Sequence, residues 1–394
     1  LPRLIASLFG DQSGRETAER LLGPLAGSYQ HVVVCFIDAF GRRFYEQYAD
    51  RHPFLRRIAE EGVVTPITSQ FPSTTAAHVT TIHTGLSVGQ SGVYEWLYYE
   101  PRVDAIIAPL LFSFAGDRAR GTLGDAGVQP ADLFPSGTFY PTLTGLGVQA
   151  HVVLPGDLAG TPYGDVIMQG ARVQPYATFT DALTTIADLV TGGGERTYSI
   201  VYLPSIDSAG HRYGPESTQF AAAVDLCFTA LEKILHARLS GSAERTLLLL
   251  VADHGQMAVD PATTIYLNQR FPVLSNLIKT NRNGKLLAPA GSCRDLFLHI
   301  HEEHLDEAQT YLQEELAGHS AVYRVCDLID EGFFGPEPLS PIFLGRVGNL
   351  VVLPYAGQSV FWYEAGRFEQ RFHGAHGGLS PEEMETMLLG YVVG

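Results

Sequence analysis

The chain has 394 residues, 45% hydrophobic and 17% charged, a globular composition rather than a disordered or fibrous one. Its net charge of −16 excludes the basic surface that non-specific duplex nucleic-acid binding needs. No apolar run reaches the roughly 20 residues of a membrane-spanning helix. The length exceeds one compact core and predicts a large α/β domain with a sizeable insertion. The opening LPRLIASLFG is too short and too weakly basic for a secretory signal. That suggests a cytoplasmic protein, and the absent initiator Met leaves an exported, trimmed form open. Cys35, Cys227, Cys293 and Cys326 show no CxxC spacing, so nothing requires an oxidising compartment.

Residues 14–22 predict a leading helix, and 32–37 a buried strand that closes on Asp38. Helical spacing follows over 41–61, with Phe44, Tyr45 and Tyr48 on one face. Pro53 opens a second helix carrying Phe54, Leu55 and Ile58. Residues 63–67 read as a short strand. In QFPSTTAAHVTTIHTG, residues 70–85, Pro72 and Ser73 mark the start of a helix and put Thr75 near its N-terminus. Free backbone N–H groups there face an anion. A hydroxyl in that place is either part of an N-cap or, beside a metal that lowers its pKa, a nucleophile.

Residues 86–140 are rich in Gly, Pro and aromatics and predict a long irregular excursion. Tyr94, Trp96, Tyr98 and Tyr99 either wall a pocket for a ring-bearing substrate or serve as packing, and packing is the favoured reading. Residues 148–154 read as a strand and 180–190 as a helix with Leu183, Ile186 and Val190 inward. The run YSIVYLPSIDSAGHRYGP begins as a buried strand. Asp207 and His211 follow, four residues apart, on a turn loosened by Gly210. Residues 216–239 have the clearest helical spacing, and 247–252 form an apolar run ending in Asp253 and His254. Strand, helix and strand at this spacing predict a crossover within a parallel sheet.

From 256 the character changes. NRNGK at 281–285 is a turn, 294–300 alternates like a strand, 305–316 is a helix, and 347–354 and 359–364 are strands. We read 256–372 as an inserted α+β cap on a core of 1–255 and 373–394. The chain closes with RFHGAHGGLSPEEMETMLL. His376 lies in a glycine-rich turn, with His373 as the neighbouring alternative, before a helix whose Ser380 and Glu383 form a capping box.

Three buried strands thus end in Asp, and two add His. Open α/β sheets hold their ligands at the carboxyl ends of the strands. Carboxylates and imidazoles converging there suit a divalent metal such as zinc.

In this order, Asp38, FPSTT ending in TG, DSAGHRYGP, ADHG and GAHGG span nearly the whole chain and resemble the alkaline phosphatase superfamily. They are most similar to its type I phosphodiesterase and nucleotide pyrophosphatase branch. The resemblance implies a three-layer α/β/α fold with a mostly parallel central sheet and an inserted cap. It implies two divalent metals, one held by Asp207, His211 and His376, the other by Asp38, Asp253, His254 and the nucleophile. The family's nucleophile stands ten residues before the Gly of the TG pair, here Gly85, which selects Thr75, with Thr74 and Ser73 as runners-up. Ala76, Ala77, His78 and Val79 replace the usual Phe-Pro-Asn-His, which makes His78 a candidate contact to the phosphoryl group and removes a nucleotide signature. The ending HGGLSPEE is also similar to phosphoglycerate mutase relatives, which use manganese, so zinc and manganese both stay open. No Cys-x-Pro-x-Arg segment of the sulfatase kind is present.

The implied reaction is hydrolysis of a phosphate diester or phosphoanhydride in a small substrate, through a phosphothreonine on Thr75. A phosphomonoesterase or phosphonate hydrolase on the same core, and a catalytically silent binding protein, are the alternatives. No Lys or Arg stands near Thr75 in sequence, which favours a diester over the more highly charged monoester.

Overall fold

The computed structural model describes residues 1–241 and 245–393; Gly394, the last residue of the expected core segment, lies outside the described residues. Its centre is a seven-stranded sheet. In chain order the strands are β1 (His31–Ile37), β2 (Val63–Thr68), β3 (Val148–Pro155), β4 (Arg172–Tyr176), β5 (Arg196–Leu203), β6 (Thr246–Val251) and β7 (Glu385–Val393). They lie side by side as β2–β7–β6–β1–β5–β3–β4. All are parallel except β7, which runs antiparallel to both neighbours.

The sequence HVVVCFI shows why β1 is central. Alternate side chains leave opposite faces of a strand. Val32, Val34 and Phe36 enter one hydrophobic core, while Val33, Cys35 and Ile37 enter another. Both faces are covered, so no polar alternation survives. One face is packed by Phe179–Thr191 and by the long helical segment after Ser217. That segment is α-helical over Thr218–Ala230, widens to a π-helix over Leu231–His236, and keeps Phe220, Val224, Phe228, Leu231 and Leu235 buried as the spacing predicts.

Several expectations change. Asp207 and His211 do not sit on a loosened turn; Ser205–Tyr213 is a helix, and they occupy successive turns of it. Gly210 is there for space: a Cβ on it would lie 1.6 Å from the Gln256 side-chain oxygen. The segment after Ser380 is only a short helix, Pro381–Met384, and the chain then becomes β7. Apolar residues on both faces of ETMLLGYVV fit a fully covered strand, and Gly62, whose Cβ would lie 2.3 Å from Gly390 O, can approach it closely. Nor does Glu383 complete a capping box. Its two oxygens take the buried Arg294 guanidinium at 2.9 and 2.7 Å, with Ser380 Oγ donating to one of them. The excursion over 86–140 holds a small antiparallel sheet of Tyr98–Glu100, Ala105–Ala108 and Ser113–Phe114.

Within 256–372, four antiparallel strands form a second sheet, in the order 290–291, 296–298, 350–354, 320–324. Leu296, Leu298 and Val352 pack beneath the helix Leu305–Glu315 in a separate core. Phe297 and Val351 point the other way into the main core, where Phe297 meets Phe71 and Tyr94. Two buried ion pairs, Arg294–Glu383 and Arg346–Glu100, tie the same region to the core. Tyr94 and Tyr98 are fully buried and stacked at 5.2 Å, so both are packing, while Trp96 is exposed.

Removing one partner of a buried ion pair leaves an uncompensated charge. Arg294→Met is therefore expected to destabilise the protein by about 3–5 kcal/mol, with most of the loss recovered when Glu383→Leu is added. Denaturant unfolding of the three proteins checks this.

Candidate functional site

Asp38, Asp207 and Asp253 follow the carboxyl ends of β1, β5 and β6, which are adjacent strands in the sheet. The helix Thr75–Thr84 points its N-terminus into the same place, with Thr75 as its first residue. His254 follows Asp253, and the loop after Gly374 brings in His376. All seven expected residues converge. Thr75 Oγ1 lies 3.0 Å from His254 Nε2 and 3.5 Å from Asp38 Oδ1. His254 Nε2 is 3.2 Å from Asp253 Oδ2 and 3.6 Å from Asp38 Oδ1. On the other side, Asp207 Oδ1 is 3.3 Å from His211 Nε2 and 3.7 Å from His376 Nε2, and the two imidazole nitrogens are 3.2 Å apart. His254 lies between the two groups: its ring stacks on His376 at 3.6 Å, and it shares a 4.8 Å cluster with Asp207 and His376.

The backbone sets the imidazoles. His211 Nδ1 donates to Gly374 O at 2.7 Å, His254 Nδ1 to Gly255 O at 2.9 Å, and His376 Nδ1 to Ser73 O at 2.9 Å. Each ring then presents a bare Nε2 lone pair inward, the state a metal ligand requires. Asp253 Oδ2 is buried without a hydrogen-bond partner. Among the described residues, no Lys or Arg pairs with any of the seven. Burial, with Asp253 and Asp207 beside it, pushes Asp38 well above the usual carboxylate range. Burial pushes Asp207 up to about 6. Burial, followed by neighbouring imidazoles, pulls the pKa of His254 and His376 down. Bunched carboxylates, inward lone pairs and one orphaned oxygen fit divalent cations, whose charge this site otherwise lacks.

The alternatives fare differently. His373 is exposed and away from the cluster; its backbone N–H donates to His211 O. Ser73 Oγ donates to Gly378 O at 2.8 Å, and the Thr74 side chain bonds Glu95. His78, expected at the phosphoryl group, has its ring centroid 6.4 Å from that of His254, and its Nδ1 donates to Thr74 O at 2.8 Å. Its Nε2 takes the Ser69 hydroxyl at 2.9 Å and the Gln70 N–H at 3.2 Å. Both ring nitrogens are used in holding the turn before the helix.

Sequence reading missed four supporting side chains. Tyr202 donates a short hydrogen bond to Asp38 Oδ2. Gln256 Nε2 donates to Asp207 Oδ1 at 3.0 Å. Glu95 and Asp295 are buried acids behind the Thr74 loop. The inward position of Tyr202, on a strand already expected, was the one signal available. The other three needed tertiary contacts.

A profile of the type I phosphodiesterase / nucleotide pyrophosphatase family matches residues 32–379. No curated protein matches. Among solved structures, an inactive form of murine ectonucleotide pyrophosphatase / phosphodiesterase 5 in complex with AMP superposes with a TM-score of 0.66. It is 17% identical, over 91% of this chain and 87% of that one. The human counterpart gives 0.65 at 16% identity, over 91% and 87%. Phosphonoacetate hydrolase from Sinorhizobium meliloti 1021, with phosphonoformate, gives 0.63 at 16% identity, over 91% and 89%. The fold is that of the alkaline phosphatase superfamily, a mixed α/β architecture around a mostly parallel sheet. Within it, the chain belongs to the type I phosphodiesterase / nucleotide pyrophosphatase family, which supports phosphoester hydrolysis as its chemistry.

Two outcomes follow. Tyr202→Phe is expected to weaken zinc or manganese binding by about 10–100-fold, as loss of a partner that orients a ligand does; calorimetric titration of the metal-free protein measures it. Burial raises Glu95 from 4.5 to about 7. A raised carboxyl binds more protons folded than unfolded, so its contribution falls as pH climbs through that window. Glu95→Gln should therefore gain stability relative to the parent between pH 5 and about 7.5, as read by denaturant unfolding.

Proposed function

We propose that the protein is a two-metal hydrolase of phosphate diesters or phosphoanhydrides. The observation that carries this is the placement of Thr75 Oγ1 beside His254 and Asp38, at a helix N-terminus, against a cluster of buried carboxylates and inward imidazole nitrogens. Asp207, His211 and His376 would hold one cation, and Asp38, Asp253 and His254, with Thr75, the other. The N and O donors suit zinc, with manganese the second choice. Such ions would supply charge neutralisation for the phosphoryl oxygens and a lowered pKa for the attacking hydroxyl.

The protein's own groups do the rest. Thr75 Oγ1 attacks phosphorus in line, forming a phosphothreonine that water then hydrolyses. The exposed N–H groups of the first helical turn face the phosphoryl oxygens. Tyr202 and Gln256 hold the Asp38 and Asp207 carboxylates in orientation, and the Ser73 carbonyl holds His376. Among the described residues, no Lys or Arg contacts the seven, which supports a diester rather than a monoester. Residues 256–372 act as a cap subdomain on the core. The likeness in fold to phosphonoacetate hydrolase favours phosphonate hydrolysis as the second reading.

The expected result is turnover of bis-p-nitrophenyl phosphate well above that of p-nitrophenyl phosphate or phosphonoacetate. Chelation should abolish it and zinc or manganese restore it. Thr75→Ala should lower kcat by at least about 10³-fold. Faster monoester or phosphonate cleavage would replace the diester reading. Unchanged turnover in Thr75→Ala would remove the nucleophile.

A further inference from the structure

A cleft of about 90 Å³ opens beside Thr75 and runs back between its helix and the central sheet. That is several times the roughly 10–15 Å³ needed to hold one water. Val79 and His83 lie one and two turns below Thr75 on the same helix face, a depth of about 12 Å by the helical rise. Phe36, Val152 and Ile200 form the sheet wall, and Met168 closes part of the far side. No Asp, Glu, Lys or Arg lines it.

Most of its few polar groups are engaged with the protein. Tyr163 OH pairs with Thr80 Oγ1 at 2.6 Å, Tyr202 OH with Asp38, and Thr161 Oγ1 accepts from Gly164 N at 3.1 Å. His83 Nδ1 is held by the Tyr140 hydroxyl, and burial pulls the pKa of that ring down to about 3, so it brings no charge. A nucleobase needs donors and acceptors matched to its edge, and leaving such groups unmatched in an apolar site is costly. A hydrocarbon needs none.

Resting on the diesterase reading, we propose that this cleft binds an apolar substituent of the phosphate ester, an alkyl or similar hydrocarbon group. In-line attack by Thr75 expels the leaving group from the far side of phosphorus. The substituent beside Thr75 is therefore the one that stays on phosphorus through the phosphothreonine and leaves with the monoester product. Atoms balance: the Thr75 oxygen–phosphorus bond forms as the leaving oxygen–phosphorus bond breaks, and the Thr75 proton leaves with the departing alcohol or to solvent. Water oxygen then bonds to phosphorus as the Thr75 oxygen–phosphorus bond breaks; one water proton returns to Thr75 and the other stays with the monoester.

The test uses p-nitrophenyl esters of methyl, butyl and octyl phosphate and of thymidine 5′-monophosphate, all with one leaving group. Each buried methylene contributes roughly a factor of four in affinity. The expected result is a kcat/KM for the octyl ester at least ~10-fold above methyl and above the nucleoside ester. Val79→Phe and Leu158→Trp, which fill the cleft, should flatten the octyl-to-methyl ratio. In parallel, calorimetry on Thr75→Ala reads binding of octyl phosphate, methyl phosphate and AMP without turnover. Turnover with no chain-length dependence, or with the nucleoside ester preferred, overturns the apolar cleft and leaves the hydrolase standing. No turnover, but octyl phosphate bound tighter than methyl phosphate, overturns the diesterase reading and supports the cleft. Equal binding of the three with no turnover overturns both.

Discussion

Three carboxylates at the ends of neighbouring strands, Asp38 and Asp253 buried and Asp207 partly so, with no basic side chain among the described residues to neutralise them, are the constraint around which this molecule is arranged. Carboxylates brought that close in low dielectric repel one another and resist ionisation, which is why burial holds Asp38 and Asp207 towards their protonated forms. The surrounding protein answers with orientation rather than counter-charge. Backbone carbonyls turn the imidazoles so that their lone pairs face the acids, and Tyr202 and Gln256 hold the carboxylates in place. The donor set suits positive charge supplied from outside the chain.

The sheet makes this arrangement possible. Strands covered on both faces can be wholly apolar along their length, so their polar residues fall at the ends. The register of β1 between β5 and β6 then places three of those ends together. The second sheet and its ion pairs brace the loop that brings His376 across from the far end of the chain. Arg294, rooted in that sheet, meets Glu383 a few residues after His376, and the Ser73 carbonyl meets His376 itself. The loop before Thr75 and the loop of His376 therefore hold each other.

Substrate choice is separable from this chemistry. Around the helix of Thr75, Ala76 and Ala77 are buried, and the His78 ring nitrogens bond Thr74, Ser69 and Gln70. The space that remains beside the hydroxyl is lined by hydrocarbon. One fold can serve several substrates by varying the cleft beside its reaction centre.

The sequence by itself determined the strands ending in Asp, the helix of Thr75 and the identity of the converging residues. Periodicity and strand-end chemistry are local, and the order of motifs is written along the chain. It misjudged segments whose state depends on distant partners. The residues after Ser380 carry helix-forming Glu and Met, yet β7 is a strand because a slot between β2 and β6 pairs both its edges. Glu383 has capping-box spacing but answers to Arg294. Gly210 reads as a flexible turn but is small because Gln256 occupies the space beside it. The tertiary structure alone decided these, because each depends on which groups meet across the fold, and side-chain type and spacing along the chain do not carry that information.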